Sequence, residues 1–231
     1  MTVAGQRRGP PARRGAGDRA AVMEAVYNRF AGQSLERLAA LSDGVFAIAM
    51  TLLVLDLHVP ATEAIHTEHD LWRAVMALTP RLITYLMSFM TLGIFWVGQQ
   101  TQLNWLARGD RNFAWIHIAF LLAVSVTPFS TALLAAFITY RVALLAYWVN
   151  VLLLGATLYG SWRYVLRAGL LREGTPLDVQ ASMERRIVVA QALYALGALL
   201  CVLSTYWSIA FIVLLQLNYA IAPRLRFLYR L

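Results

Sequence analysis

Apolar residues recur along this chain in long runs separated by short polar stretches, not in the patterns of a water-soluble domain. The runs predict six membrane-spanning helices, at about residues 36–58, 80–105, 113–137, 141–165, 187–205 and 208–223. The fold class they imply is all-α: a polytopic membrane protein with six transmembrane helices in residues 35–231, behind a basic N-terminal stretch of residues 1–34. Within that stretch residues 1–20, rich in Arg, Gly, Pro and Ala, read as disordered. Residues 20–30 read as a short amphipathic helix on the membrane surface. Pro60 closes the first span, and residues 61–78 read as a polar loop. The links after the third and fifth spans are short, so those neighbours form helical hairpins. Pro128 interrupts the third span and kinks it by removing a backbone donor. Ser125, Thr127, Ser130 and Thr131 are at hand to compensate.

The first span differs from the others. It is apolar from Gly44 to Leu57, yet its first turns carry Arg37, Ser42 and Asp43. A carboxylate at the centre of a span costs roughly 2.5–3.5 kcal/mol on insertion scales, less near an interface, so Asp43 needs a partner. On a helical wheel of about 100° per residue, Ile48, Leu52 and Leu55 form one narrow aliphatic stripe with Thr51 at its edge. Ser42, Asp43, Phe46, Leu53 and Leu57 fall on the opposite side. On spacing alone the stripe is what any membrane helix shows to lipid or to a neighbour. The polar pair is expected to be held by the next two spans. Gln99 and Gln100 in the second and His117 in the third are the network partners in view. His117 is either a partner of Asp43 or Ser42, or a neutral histidine bonded to a carbonyl. Gln216 and Asn218 in the last span read as interhelical glue.

Composition agrees with a membrane protein, since 60% of the residues are hydrophobic. The chain has 20 Lys+Arg, all of them Arg, and a net charge of +8. In a soluble protein that excess would suggest nucleic acid; here it sets orientation, and no nucleic-acid partner is implied. All the arginines except Arg73, Arg81 and Arg141 fall on one side of a six-span model. This predicts a multi-pass protein of the bacterial plasma membrane with both termini cytoplasmic. Trp and Tyr cluster near the proposed span ends, as interface belts do. Cys201 is the one cysteine, so there is no disulfide framework, and no apolar run precedes Leu38 that would serve as a cleavable signal.

The chemistry of an enzyme is missing. There is no H-E-x-x-H, G-x-S-x-G or Walker loop, and nothing around His117 and the span serines builds a nucleophile elbow. His58, His66 and His69, with Glu63, Glu68 and Asp70 nearby, match no standard metal spacing and read as a solvated loop. The chain is expected to need no metal or other cofactor. It lacks the T-V-G-Y-G filter of ordinary potassium channels and the regularly spaced arginines of a voltage sensor.

Arg37-x-x-x-Leu41-Ser42-Asp43-Gly44 resembles the R-x-x-x-F-S-D-G signature that opens the first helix of the transmembrane protein 175 family, the lysosomal potassium channels and their bacterial relatives. The following VFAIAMTLLVLDLHVP, the Trp96 segment and Pro128-Phe129-Ser130-Thr131 fit the same family, so the resemblance covers about residues 36–134. The last two helices match only in number and placement. Leu41 stands where Phe is usual, an apolar swap expected to keep burial. Gln99 and Gln100 stand near a family His, and His117 stands where Asn is expected.

The resemblance implies six helices per chain and four chains around one axis, each first helix lining the pore. Ile48, Thr51, Leu52 and Leu55 then become pore-lining, with stacked hydrophobic rings as the constriction. Arg37, Ser42, Asp43 and Gly44 become the network at the helix start. It also implies a homotetramer in the lipid bilayer that passes monovalent cations, potassium by preference. Two rival classes remain. A secondary transporter would show internal repeats and helices broken at midplane, which are not evident here. A non-conducting membrane scaffold would share the composition.

Overall fold

The computed structural model describes residue 23, residues 35–62 and residues 65–221. The stretch expected to be disordered lies outside the described residues. So do all but Met23 of the predicted surface helix and the end of the predicted sixth span. Among the described residues the chain forms α1 (Leu35–Val54), α2 (Glu68–Ala77), α3 (Thr79–Trp105), α4 (Arg111–Ala136), α5 (Arg141–Ala168), α6 (Leu177–Leu199) and α7 (Thr205–Ile221). A 3-10 turn, Leu200–Val202, continues α6. Five helices, α1 and α3 to α6, are long and apolar enough to cross a bilayer, so this is a multi-pass membrane protein. The described helices therefore number seven, not six. One of the two outside the five, α7, has 17 residues, the lower edge of what a bilayer core asks.

Three boundaries differ from the sequence reading. α1 stops at Val54, and Leu55 and Leu57 follow in tightened turns, their N–H groups bonding the carbonyls of Leu52 and Val54 at 3.1 and 3.0 Å. The stretch read as a polar loop contains α2. Thr67 accepts the Asp70 N–H at 3.1 Å while the Asp70 carboxylate accepts the Thr67 N–H at 3.1 Å, a capping box that starts a helix despite the polar composition. α6 begins at Leu177 rather than near residue 187, because a helix can run on through polar turns where its side chains find partners. Glu184 on one of those turns pairs with Arg163 of α5 at 3.2 Å.

α4 packs most extensively against α5, and the core between the helices includes Phe46, Leu92, Phe120, Leu144 and Tyr147. Polar groups buried in it bond across helices, as an apolar surround requires. Thr91 of α3 lies 2.7 Å from the Tyr147 hydroxyl of α5. The Gln216 amide of α7 donates to Thr91 Oγ1 at 2.6 Å and to the Tyr194 hydroxyl of α6 at 3.3 Å.

Around Pro128, Thr131 donates to the Thr127 carbonyl at 2.7 Å. Ser125 bonds the Leu122 carbonyl on an exposed face. A residue of another helix bonds this segment too. Asn150 of α5 donates to the Ala123 carbonyl at 2.8 Å, and its Oδ1 lies 3.2 Å from the Ser130 hydroxyl, whose single proton goes either to it or to the Thr127 carbonyl at 3.0 Å. Asn150→Leu should lower stability by about 1–3 kcal/mol, since two buried polar partners are left with fewer bonds. A melting temperature in detergent equal to wild type would mean that the hydroxyls of α4 hold this segment alone.

At one end of the bundle two links are fastened together. Leu106, after α3, forms an antiparallel bridge with Leu171, after α5. Ala107 N–H meets the Leu170 carbonyl at 2.9 Å and Arg172 N–H meets the Trp105 carbonyl at 3.0 Å. α5 can turn into this bridge because Gly169 adopts φ 63, a left-handed cap that disfavours side chains. Leu103, Leu106, Phe113, Val165 and Leu170 form a small second core there, on which Leu35, Leu38 and Ala39 of α1 rest.

Candidate functional site

α1 has two faces of opposite character. Ser42, Phe46, Ala49 and Leu53, spaced at helical intervals, are buried. Phe46 meets the ring of Phe120 on α4 with centroids 5.9 Å apart. On the other side Ile48 is 62% exposed, Leu52 44% and Leu55 66%, whereas Phe46 and Leu53 are 2% exposed. Thr51 lies on this exposed face, and its hydroxyl donates to the Ile48 carbonyl at 2.9 Å. Gly44 is exposed too, and a side chain built there would meet nothing within 4 Å in this chain. Leu41 is 49% exposed, so its expected burial within the chain does not hold.

The two polar residues at the base of α1 part company. Ser42 turns inward to the junction of α3 and α4. Its hydroxyl lies 2.8 Å from the Leu38 carbonyl and 2.6 Å from Nε2 of His117, and it accepts from the Gln99 amide at 3.2 Å. The single Ser42 proton can be accepted by the Leu38 carbonyl or by Nε2 of His117. Asp43, about 100° further round, is exposed and turns along α3. Its Oδ1 accepts from Trp96 Nε1 at 2.8 Å and from the Gln100 amide at 2.7 Å. Asp43 is thus not on the buried face with Ser42, and His117 meets Ser42 rather than Asp43. Arg37 lies on the exposed side of the first turn.

Trp96 is the member of this collar that the sequence reading left out. It stands one helical turn before Gln100, and that i, i+4 spacing was the available signal. Arg81 of α3 holds the far end of the same helix. It donates to the Asp56 carbonyl at 3.1 Å and lies 3.3 Å from His58 Nδ1. His69 is engaged by Arg73 within α2 at 3.0 Å. Among the described residues no three His, Cys, Asp or Glu side chains gather as metal ligands would.

Apart from the Thr51 hydroxyl, which is spent on the Ile48 carbonyl, the exposed side chains Ile48, Leu52 and Leu55 are aliphatic. An aliphatic surface of this kind can pack against another surface or narrow a path. The collar keeps the face in register by fixing the helix to α3 and α4.

A family model described as endosomal/lysosomal potassium channel TMEM175 matches residues 37–128. The chain is 33% identical over 167 residues to a potassium channel of Streptomyces collinus, an alignment covering 71% of this chain and 77% of that one. It is 29% identical over 189 residues to a potassium channel of Chamaesiphon minutus, covering 80% and 93%. The fold matches the crystal structure of a lysosomal potassium-selective channel TMEM175 homolog from Chamaesiphon minutus with a TM-score of 0.70. That match has 27% sequence identity and covers 81% of this chain and 96% of that one.

Proposed function

Because the chain belongs to the TMEM175 family of ion channels, we propose that it forms a potassium-preferring channel whose narrowest part is built by α1. The observation that carries the reading is the aliphatic face of Ile48 and Leu52, continued by Leu55 in the turn just past the helix end, left exposed on a helix whose other face is buried and bonded. One helix cannot enclose a path, so the channel is a closed homotetramer with four copies of this face around one axis. Gly44 supports that assembly: its smallness answers no neighbour in its own chain and suits close approach by another. The rings of Ile48, Leu52 and Leu55 span about 10 Å at helical rise, a hydrophobic neck that gates by dewetting. Thr51 stands at the edge of the neck. Preference for potassium comes from the bacterial relatives, which are named potassium channels. Reversal potentials of the purified protein in planar bilayers under opposed potassium and sodium gradients test the proposal. Absence of any current, or equal permeability to both ions, would refute it.

The channel has six spans per chain, with α7 as the sixth and both termini in the cytoplasm. α7 follows α6 after a tight turn and packs back against it, and the arginine distribution favours this orientation. A reporter fused after Leu231 should read cytoplasmic; a periplasmic reading would remove the six-span arrangement.

A further inference from the structure

A groove of about 600 Å³ opens between α3 and α6, with Leu158 of α5 and Tyr219 of α7 also in its wall. That size lies within the range of about 300–1,000 Å³ usual for ligand sites. Its character changes along its length. Phe89, Met90 and Ile94, near the middle of α3, make one stretch apolar; the α6 residues in the lining further along, Gln191 and Tyr194, are bonded to Val151 and Gln216. Thr101 and Gln102, in the last turns of α3, and Arg186 make the other end polar. Arg186 is the single charged residue lining the groove among the described residues. The nearby Glu184 is engaged by Arg163, so no carboxylate in the lining neutralises it. Over the middle of the groove the backbone is bare: a side chain built at Gly93 would meet nothing within 4 Å.

We propose that this groove binds an anionic membrane phospholipid. One acyl chain lies along α3 over Gly93, and the phosphate sits on Arg186. The lining pairs one charge, in the more polar first half of α6, with the apolar middle of α3, as one leaflet pairs headgroup and acyl chain. A lone arginine without an acidic neighbour selects a net negative headgroup over a zwitterionic one, whose amine it would repel. The inference rests on the chain spanning a membrane and not on what it conducts.

Native mass spectrometry of the intact protein, with palmitoyl-oleoyl phosphatidylglycerol and phosphatidylcholine added in competition, tests it. Wild type should retain the glycerol lipid about fivefold over the choline lipid, the order expected of one basic side chain at an anionic surface. Arg186→Gln should remove that preference. Gly93→Phe should reduce retention of both lipids by filling the groove. Arg108→Gln, outside the groove lining, should leave the preference intact. Equal retention by wild type, an unchanged preference in Arg186→Gln, or displacement by inorganic phosphate alone would overturn the proposal. So would a disulfide between Gly93→Cys and a cysteine of another copy in the assembled protein, as a neighbouring subunit in the groove would give. Because lipid retention and not current is measured, none of these failures bears on the channel reading.

Discussion

Leu52→Ala is expected to raise single-channel conductance and to bring the potassium and sodium permeabilities closer together. Leu52 is the central member of the exposed face of α1, one turn beyond Ile48 and just before the helix ends at Val54. An ion entering an aliphatic neck sheds water and gains no strong ligand, so the neck is a barrier. Trimming four side chains at one level widens and wets that level. Each reduction of the barrier by about 1.4 kcal/mol raises flux about tenfold. Leu53→Ala removes the same atoms one residue on, from a side chain 2% exposed. It should leave a cavity against the core and cost about 2–5 kcal/mol of stability, with selectivity unchanged. Bilayer recordings and melting curves of the two variants separate the outcomes. If they are interchangeable, the conducting path does not run along this face.

Asp43→Ala is expected to abolish current by loss of assembly, without a change in ion preference in whatever current survives. Its carboxylate accepts two hydrogen bonds from α3, at 2.8 Å from Trp96 and 2.7 Å from Gln100. Hydrogen bonds to a charged group contribute about 1.5–3 kcal/mol each, and both go with the side chain. The polar hold of α3 on this side of α1 is then lost, and in the proposed channel the face presented to other subunits loses its register. Native mass measurement should show tetramers of wild type and mainly smaller species of the variant. Asp43→Asn retains an acceptor oxygen and should restore tetramers. Normal assembly and current with altered selectivity would place Asp43 beside the ions instead.

How much of this was legible beforehand depends on what each signal reports. α3 and α5 could be bounded within a few residues because an apolar run of that length has one use. α6 could not. Hydropathy measures the length that lipid covers, and its first turns, with Asp178, Glu184, Arg185 and Arg186, lie beyond it. α2 was hidden by composition, although Thr67-x-x-Asp70 was a readable start signal. The two faces of α1 followed from spacing, since Ser42, Phe46 and Leu53 are buried where the wheel puts them. The wheel was too coarse for Asp43, which borders the buried face; the Trp96 and Gln100 donors decide its direction. The Asn150 bond beside Pro128 was not foreseen because its partner, the Ala123 carbonyl, is a backbone group with no side-chain signature.

The bridge between Leu106 and Leu171 has a mechanical consequence. It ties the α3–α4 turn to the α5–α6 turn, so these four helices share one clamped base. α1 rests on that base through Leu35, Leu38 and Ala39, and beyond its bonded collar its outward face is unrestrained by its own chain. It is a lever with its fulcrum at the collar. In the proposed channel, a small tilt of the lever would displace Leu55 more than Leu52 and Leu52 more than Ile48, and the proposed neck would open as a funnel from the end far from the clamp. Arg81, bonded to the Asp56 carbonyl just past the lever's tip, would oppose that motion.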